Sequence, residues 1–444
     1  MDKPDQIIHA DMMLPMAPEE TVLTGFAVAI QEGLIVDILS STEARERYPN
    51  VPVVDLGARV LMPGLVNAHG HAAMTLLRGL ADDQPLKSWL EDHIWPAEGR
   101  WVAEDFVRDG TQLAIAEMML SGTTCFSDMY FFSDVVADCA NQAGIRAQLV
   151  FPIFEFPSAW GSGPDEYIAK GLQLRDDHKS SARVTTAFGP HAPYTTSDRT
   201  LERVAMYAEE LDAPVQIHLH EAAHEIAESL SEYGARPIER LNRIGLMGPR
   251  LQAVHMTQLD NQDIETVITT GTHVVHCPSS NLKLAAGFCP LKRLHNAGVN
   301  IAFGTDGAAS NNTLDLFAEL RLAALLAKAS SGDATALSAH QAIRMATLGG
   351  ATALGLEDRV GSIEVGKCAD LIAVDIERLG AVPVYDAYSS LTYAQSGAAV
   401  TDVWIQGRRT VDNRQLQTLE TQRLIKTAAQ WRDRISLSSS QAGA

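Results

Sequence analysis

Between residues 65 and 303 the sequence carries eight short apolar runs, each of strand length, and stretches of helical periodicity separate most of them. The runs are 65–71, 123–129, 146–151, 184–188, 215–220, 251–255, 272–276 and 299–303. Intervening stretches such as 107–120 and 201–211 repeat their apolar residues at the spacing of a helix face. A β–α alternation repeated eight times predicts an α/β fold of the (β/α)8 TIM barrel type. An open doubly wound sheet alternates in a similar way. No GxGxxG follows the first run, which favours the barrel.

Strand-and-turn character marks both ends of the chain. Phe26–Ile30, Gly33–Leu39 and VPVVDL at 51–56 precede the Met62-Pro63-Gly64 turn, while ADLIAVD at 369–375 and VTDVWIQGRRTV at 400–411 follow the barrel region. The two ends are expected to pair as one small composite β domain, 1–62 with 362–444, around a barrel at 63–361. A chain of 444 residues is long enough for both. The tail SLSSSQAGA at 436–444 is low in complexity and is expected to fray.

Composition narrows the function classes. A formal net charge of −20 argues against a nucleic-acid partner, which needs clustered Lys and Arg. No run approaches the ~18 apolar residues of a membrane helix, so no membrane association is expected. The first residues do not read as a signal peptide, and five scattered cysteines without a CxxC pair fit a reduced, cytoplasmic setting.

The chemistry-bearing residues cluster where a barrel enzyme puts its site, at the carboxyl ends of strands. His69 and His71 close the first run, and the period of two along a strand would turn both to the same side. His218 ends the fifth run, His255 the sixth, and Asp306 follows the eighth in GTDG. Three imidazoles and a carboxylate suit zinc or a similar divalent metal. Any one of these residues alone reads as a hydrogen-bonded core group or a turn residue; together they predict a metal site.

His220-Glu221-Ala222-Ala223-His224 also matches HExxH, the zincin-like metalloprotease pattern. That chemistry needs both histidines on one helix face. Here His220 ends a strand, so His220 is expected to line the site through its parity with His218, and His224 to lie on a helix surface.

PGLVNAHGH, HLHE, VH, GTDG and GSIEVGKCADLIAVD, in that order, resemble the amidohydrolase superfamily over nearly the whole chain. The resemblance implies a metal-bearing barrel with a composite β-sandwich. It implies His69, His71, His218 and Asp306 as metal ligands, Glu221 as catalytic acid/base, and His255 as the residue orienting the attacking water. Asp306 would also help deprotonate that water. RVTTAFGPHAPYT, on the fourth strand, has no Lys to bridge two metals, so one zinc per subunit is implied. A homo-oligomer is implied as well.

Within the superfamily the chain looks like the deaminases of 5′-methylthioadenosine and S-adenosylhomocysteine, through SWLEDHIWPAEGR, GPHAPYT and HCPSSNLKL. That likeness implies a small-molecule nucleoside substrate, bound by Glu98 at the ribose hydroxyls and by His191, with Trp89 stacking nearby and Glu221 and Asp306 at the reacting end. Read alone, Glu98 is a helix-surface acid and Trp89 a core residue. Residues 150–164 depart from the pattern: they hold no Arg or Lys for an amino-acid tail, but Phe151, Phe154, Phe156 and Trp160 instead. Such a lining suits a thiomethyl group, so methylthioadenosine is expected over S-adenosylhomocysteine. The rival enzymes are a guanine or cytosine deaminase and a triazine chlorohydrolase, which would use the same metal site. A non-catalytic assembly protein would have no reason to keep the ligand set.

Overall fold

The computed structural model describes residues 3–442, with side chains through Ser436. Its centre is an eight-stranded parallel sheet. The strands are β1 Leu65–Asn67, β2 Thr123–Asp128, β3 Arg146–Ile153, β4 Val184–Pro190, β5 Val215–Leu219, β6 Leu251–His255, β7 His273–His276 and β8 Ile301–Phe303. They lie side by side in chain order. All eight apolar runs therefore form strands of one sheet. The runs are continuous rather than alternating because both sheet faces are covered; β2 and β3 are buried along their whole length.

Hydrogen bonds carry the closure from β8 back to β1. Ala68 N donates to the Phe303 carbonyl at 2.9 Å, and Asp306 N to the His69 carbonyl at 3.1 Å. The Asn67 amide adds two bonds to Thr305, at 2.8 and 3.0 Å. Gly304 is needed here: a Cβ on it would sit 2.8 Å from both Cβ and the carbonyl oxygen of His69. These contacts bring the carboxyl ends of the first and last strands together.

Local signals set the helices. Ser197 caps Asp198–Glu210 by accepting from Thr200 N, and Asp260 with Asp263 forms a capping box on Asn261–Thr270. Gly271 and Gly332 end their helices in the left-handed conformation.

A second, mixed sheet of nine strands draws on both ends of the chain. Its join is the antiparallel pairing of Val60–Pro63 with Leu371–Val374. At the amino end of β3, the Arg146 guanidinium meets the Asp370 carboxylate at 3.0 and 3.1 Å, with both side chains buried. That pair ties the barrel to the second sheet. The helix Thr421–Ala442 takes in much of the tail expected to fray; residues 443 and 444 lie outside the described chain. No helix among the described residues is long and apolar enough to cross a membrane.

Candidate metal centre and active site

The strand β1 stops at Asn67, so His69 and His71 lie beyond it. The pleat of a strand therefore does not set their direction, contrary to the expectation from parity. Tertiary hydrogen bonds do. The His69 carbonyl accepts from Asp306 N, the Gly70 carbonyl from Met129 N, and His71 caps the short helix Ala72–Leu77. His218 lies within β5, His255 ends β6 and Asp306 follows β8. The backbone at His255 and Asp306 is left-handed, at φ +76° and +61°, a conformation that folds hold at functional sites at some cost.

Their partners determine which ring nitrogen faces inward. His71 Nδ1 lies 2.7 Å from the Met129 carbonyl and His218 Nδ1 2.8 Å from the His191 carbonyl. His69 Nδ1 lies 2.7 Å from Gln216 Oε1. These oxygens only accept, so each Nδ1 carries a proton and each Nε2 is the nitrogen left to face the cluster, where it can offer a lone pair to a metal. The Nε2 atoms of His218 and His69 stand 3.2 Å apart, and those of His71 and His69 stand 3.2 and 3.5 Å from Asp306 Oδ1. Three inward-facing Nε2 atoms and a carboxylate directed at one point need a cation between them, either a proton held against Asp306 or a metal ion. This donor set fits zinc or a similar divalent ion. Two groupings with all ligand atoms within 4.8 Å share His69: His69, His71 and Asp306, and His69, His218 and His255.

The electrostatics follow from the same geometry. Burial would raise the Asp306 carboxyl, but its hydrogen bonds with His69 and His71 hold it well below the usual range. Burial pulls His71 down, yet the adjacent Asp306 outweighs it and lifts the ring to about 9. Glu221 is pushed up to about 8 by burial and then by Asp306. Its Oε2 is 3.5 Å from His255 Nε2. Glu225 anchors the Glu221 segment by accepting from Glu221 N and Ala222 N.

A pocket opens over this cluster, lined by His71, His218, His255, Glu221 and Asp306 at one end. His191, Glu98 and Trp89 line it too. Tyr130 donates to Glu98 Oε1 at 2.7 Å, and burial lifts the Glu98 carboxyl to about 7 against that bond. The His191 ring packs 4.8 Å from Phe154 and 4.7 Å from His218, and burial together with His71 and His69 drives it down to about 3.

The aromatic segment divides. Phe154 and Phe156 line the pocket. Phe151 instead packs on Phe188, ring centres 4.9 Å apart, and fills the space over Gly171. Trp160 stacks on Tyr167. No Lys or Arg is among the lining residues.

His220 does not line the pocket as parity suggested. The strand β5 ends at Leu219 and the backbone turns left-handed at His220, φ +53°. Its ring is held away from the site by the Gln258 carbonyl at 3.0 Å and by Ile238 N at 3.2 Å. The next helix starts only at Ala223, so His220 and His224 never share a helix face, and the protease reading fails.

Some site residues went unnoticed in the sequence. Ser280 donates to Asp306 Oδ2 at 2.6 Å, Asn281 faces His255 Nδ1 at 3.1 Å, and Tyr130 holds Glu98. Gln216 had a readable signal: a lone amide in an apolar strand, two residues from His218 and so on the same side of β5.

Residues 60–410 match the family model described as "Amidohydrolase family". The chain belongs to the amidohydrolase family. It is a metal-dependent hydrolase. It is 51% identical over 431 residues to a 5-methylthioadenosine/S-adenosylhomocysteine deaminase of Teredinibacter turnerae, covering 97% of this chain and 98% of that protein. A 5′-deoxyadenosine deaminase of Methanosarcina acetivorans is 40% identical, with 96% of each chain covered. Among solved structures, an adenosine deaminase from Xanthomonas campestris with bound zinc superposes with a TM-score of 0.96 at 51% identity, covering 98% of this chain and 99% of that one.

Proposed function

We propose that this amidohydrolase is a zinc-dependent deaminase acting at C6 of an adenine nucleoside, and that 5′-methylthioadenosine is its preferred substrate. One observation carries the reading. The pocket joins a buried cluster of inward-facing lone pairs and a protonatable Glu221 at one end to Glu98 and an uncharged, aromatic surface at the other. The relatives named for deamination of adenine nucleosides support the same reaction class.

His69, His71, His218 and Asp306 would hold the ion. Zinc bound there supplies a Lewis acid that lowers the pKa of water from ~16 towards ~7. His255 orients the attacking water from beside Glu221. Asp306, kept ionised, accepts a proton from that water. Glu221 holds a proton at neutral pH and donates it to purine N1, which makes C6 electrophilic. The C6–O bond forms, a tetrahedral carbon results, and the C6–N bond breaks as the amine leaves as ammonia. Water supplies two protons in all: one departs with the amine and one restores Glu221.

Glu98 would bind ribose hydroxyls, with His191 and Trp89 beside the nucleoside. The 5′ substituent would lie against Phe154 and Phe156. A thiomethyl group matches that surface, whereas the zwitterionic tail of S-adenosylhomocysteine would meet no lining cation and stay unpaired. The test is ammonia release from a panel of methylthioadenosine, adenosine, S-adenosylhomocysteine and guanine. The expected order of kcat/KM puts methylthioadenosine first. Guanine in first place would replace the nucleoside reading with that of a guanine deaminase.

A further inference from the structure

Three fully buried glutamines run through the inside of the barrel beneath the site: Gln216 on β5, Gln252 on β6 and Gln148 on β3. Gln148 Nε2 donates to the Leu354 carbonyl at 3.1 Å. Gln252 Nε2 donates to Gln148 Oε1 at 3.0 Å, and Gln216 Nε2 to Gln252 Oε1 at 2.7 Å. Gln216 Oε1 then faces His69 Nδ1 at 2.7 Å.

The chain has one allowed sense. The Leu354 carbonyl is an acceptor only, so Gln148 must present its nitrogen there and its oxygen to Gln252. The same logic passes through Gln252 to Gln216. Gln216 Nε2 also faces the Ala68 carbonyl at 3.0 Å, a second acceptor that forbids the flipped amide. The last group in the series, Gln216 Oε1, can only accept. His69 must therefore carry its proton on Nδ1.

We propose that Gln216, Gln252 and Gln148 are positioning residues: a one-way hydrogen-bond chain, pinned by the Leu354 and Ala68 carbonyls, that fixes His69 in the tautomer whose Nε2 lone pair faces the metal. The inference rests on the metal reading above. Partners on the far side of a metal-ligating imidazole fix its tautomer and raise its basicity, and their loss costs about 10–100-fold in metal affinity. Packing alone does not explain the series. Apolar side chains of similar size would fill the same volume without three buried amides to satisfy.

The experiment measures zinc affinity by chelator competition, alongside the melting temperature of the metal-free protein, for the wild type, Gln216→Met, Gln216→Glu and Gln252→Met. Gln216→Met should bind zinc about 10–100-fold more weakly with a melting temperature at or above wild type. Gln216→Glu keeps an acceptor for His69 and, protonated, a donor for Gln252. It should restore affinity to within about tenfold of wild type. Gln252→Met leaves Gln216 on the Ala68 carbonyl and should fall between them. A filler role predicts the reverse: Met tolerated and Glu damaging. Wild-type affinity in Gln216→Met, or a Glu variant weaker than the Met variant, overturns the proposal. Should Gln216→Met fail to fold, Gln252→Met binding zinc as tightly as wild type would overturn it. A wild-type protein without zinc affinity would instead overturn the metal reading itself.

Discussion

The two ends of the barrel bury polar groups in opposite ways. At the amino end, Arg146 and Asp370 form a bidentate ion pair, and Arg146 Nη1 also reaches the Ala182 carbonyl. Each charge there has its opposite. At the carboxyl end, His69, His71, His218 and Asp306 direct lone pairs and negative charge at one point, and Glu221 is buried beside them. Among the described residues only a proton taken up by His71 beside Asp306 answers them, and a metal ion would displace it. Buried charge that is matched within the protein serves the fold; buried charge left unmatched marks where a ligand completes the structure. Substitutions at the two ends should therefore separate stability from activity.

The largest separation is expected from Glu221→Gln. Removing the proton donor should lower kcat by about 10²–10⁴-fold, with zinc content and melting temperature near wild type. Steady-state kinetics beside metal analysis would show it. Retained turnover would remove Glu221 from its assigned role.

Asp370→Ala should do the converse. It strands a buried guanidinium, at a cost of about 3–5 kcal/mol in denaturant unfolding, while zinc stoichiometry in the folded protein stays the same. A stability loss under ~1 kcal/mol would mean that the pair is dispensable.

The aromatic segment offers a finer contrast. Phe151→Ala empties core between β3, β4 and the helix Pro164–His178 and should cost about 3 kcal/mol of stability. Phe154→Ala opens the pocket instead, and should raise KM for methylthioadenosine about tenfold with a smaller change for adenosine. Equal losses for both substrates would place the 5′ group elsewhere.

The remaining effect is confined to acid pH. His276 ends β7 with its Nδ1 buried and unpartnered among the described residues, and burial followed by His255 pushes it down to about 3. The unfolded chain takes up a proton near the ordinary value of ~6.5, while the folded ring stays neutral. Stability from this group is complete above pH ~6.5 and is lost as pH falls towards 3, by about 2 kcal/mol at pH 5. His276→Gln should flatten that slope in unfolding curves between pH 7 and 5.

Much of this arrangement was legible in the sequence. Continuous apolar runs revealed all eight barrel strands because both faces of a parallel sheet are covered. The ligand residues were readable because each stands where an apolar run ends. Other features depend on contacts between distant segments. His69 and His71 converge through hydrogen bonds to Met129 and Asp306, not through strand pleating. Phe151 and Phe154 needed no such contact: an odd offset of three on a strand turns them to opposite faces, so Phe151 meets the helix Pro164–His178 while Phe154 lines the pocket with Pro152. His220 was misplaced because β5 ends at Leu219, one residue short of it, and the left-handed backbone at His220 breaks the parity with His218. The glutamine series was visible only as one glutamine in each of three apolar runs. Their linkage required the barrel to close.

The decisive experiment titrates zinc into metal-free protein and follows ammonia release from methylthioadenosine at each addition. Activity should rise linearly and stop at one ion per chain, with one ammonia formed per methylthioinosine. Full turnover without metal, or a break at two ions per chain, would contradict the one-zinc mechanism.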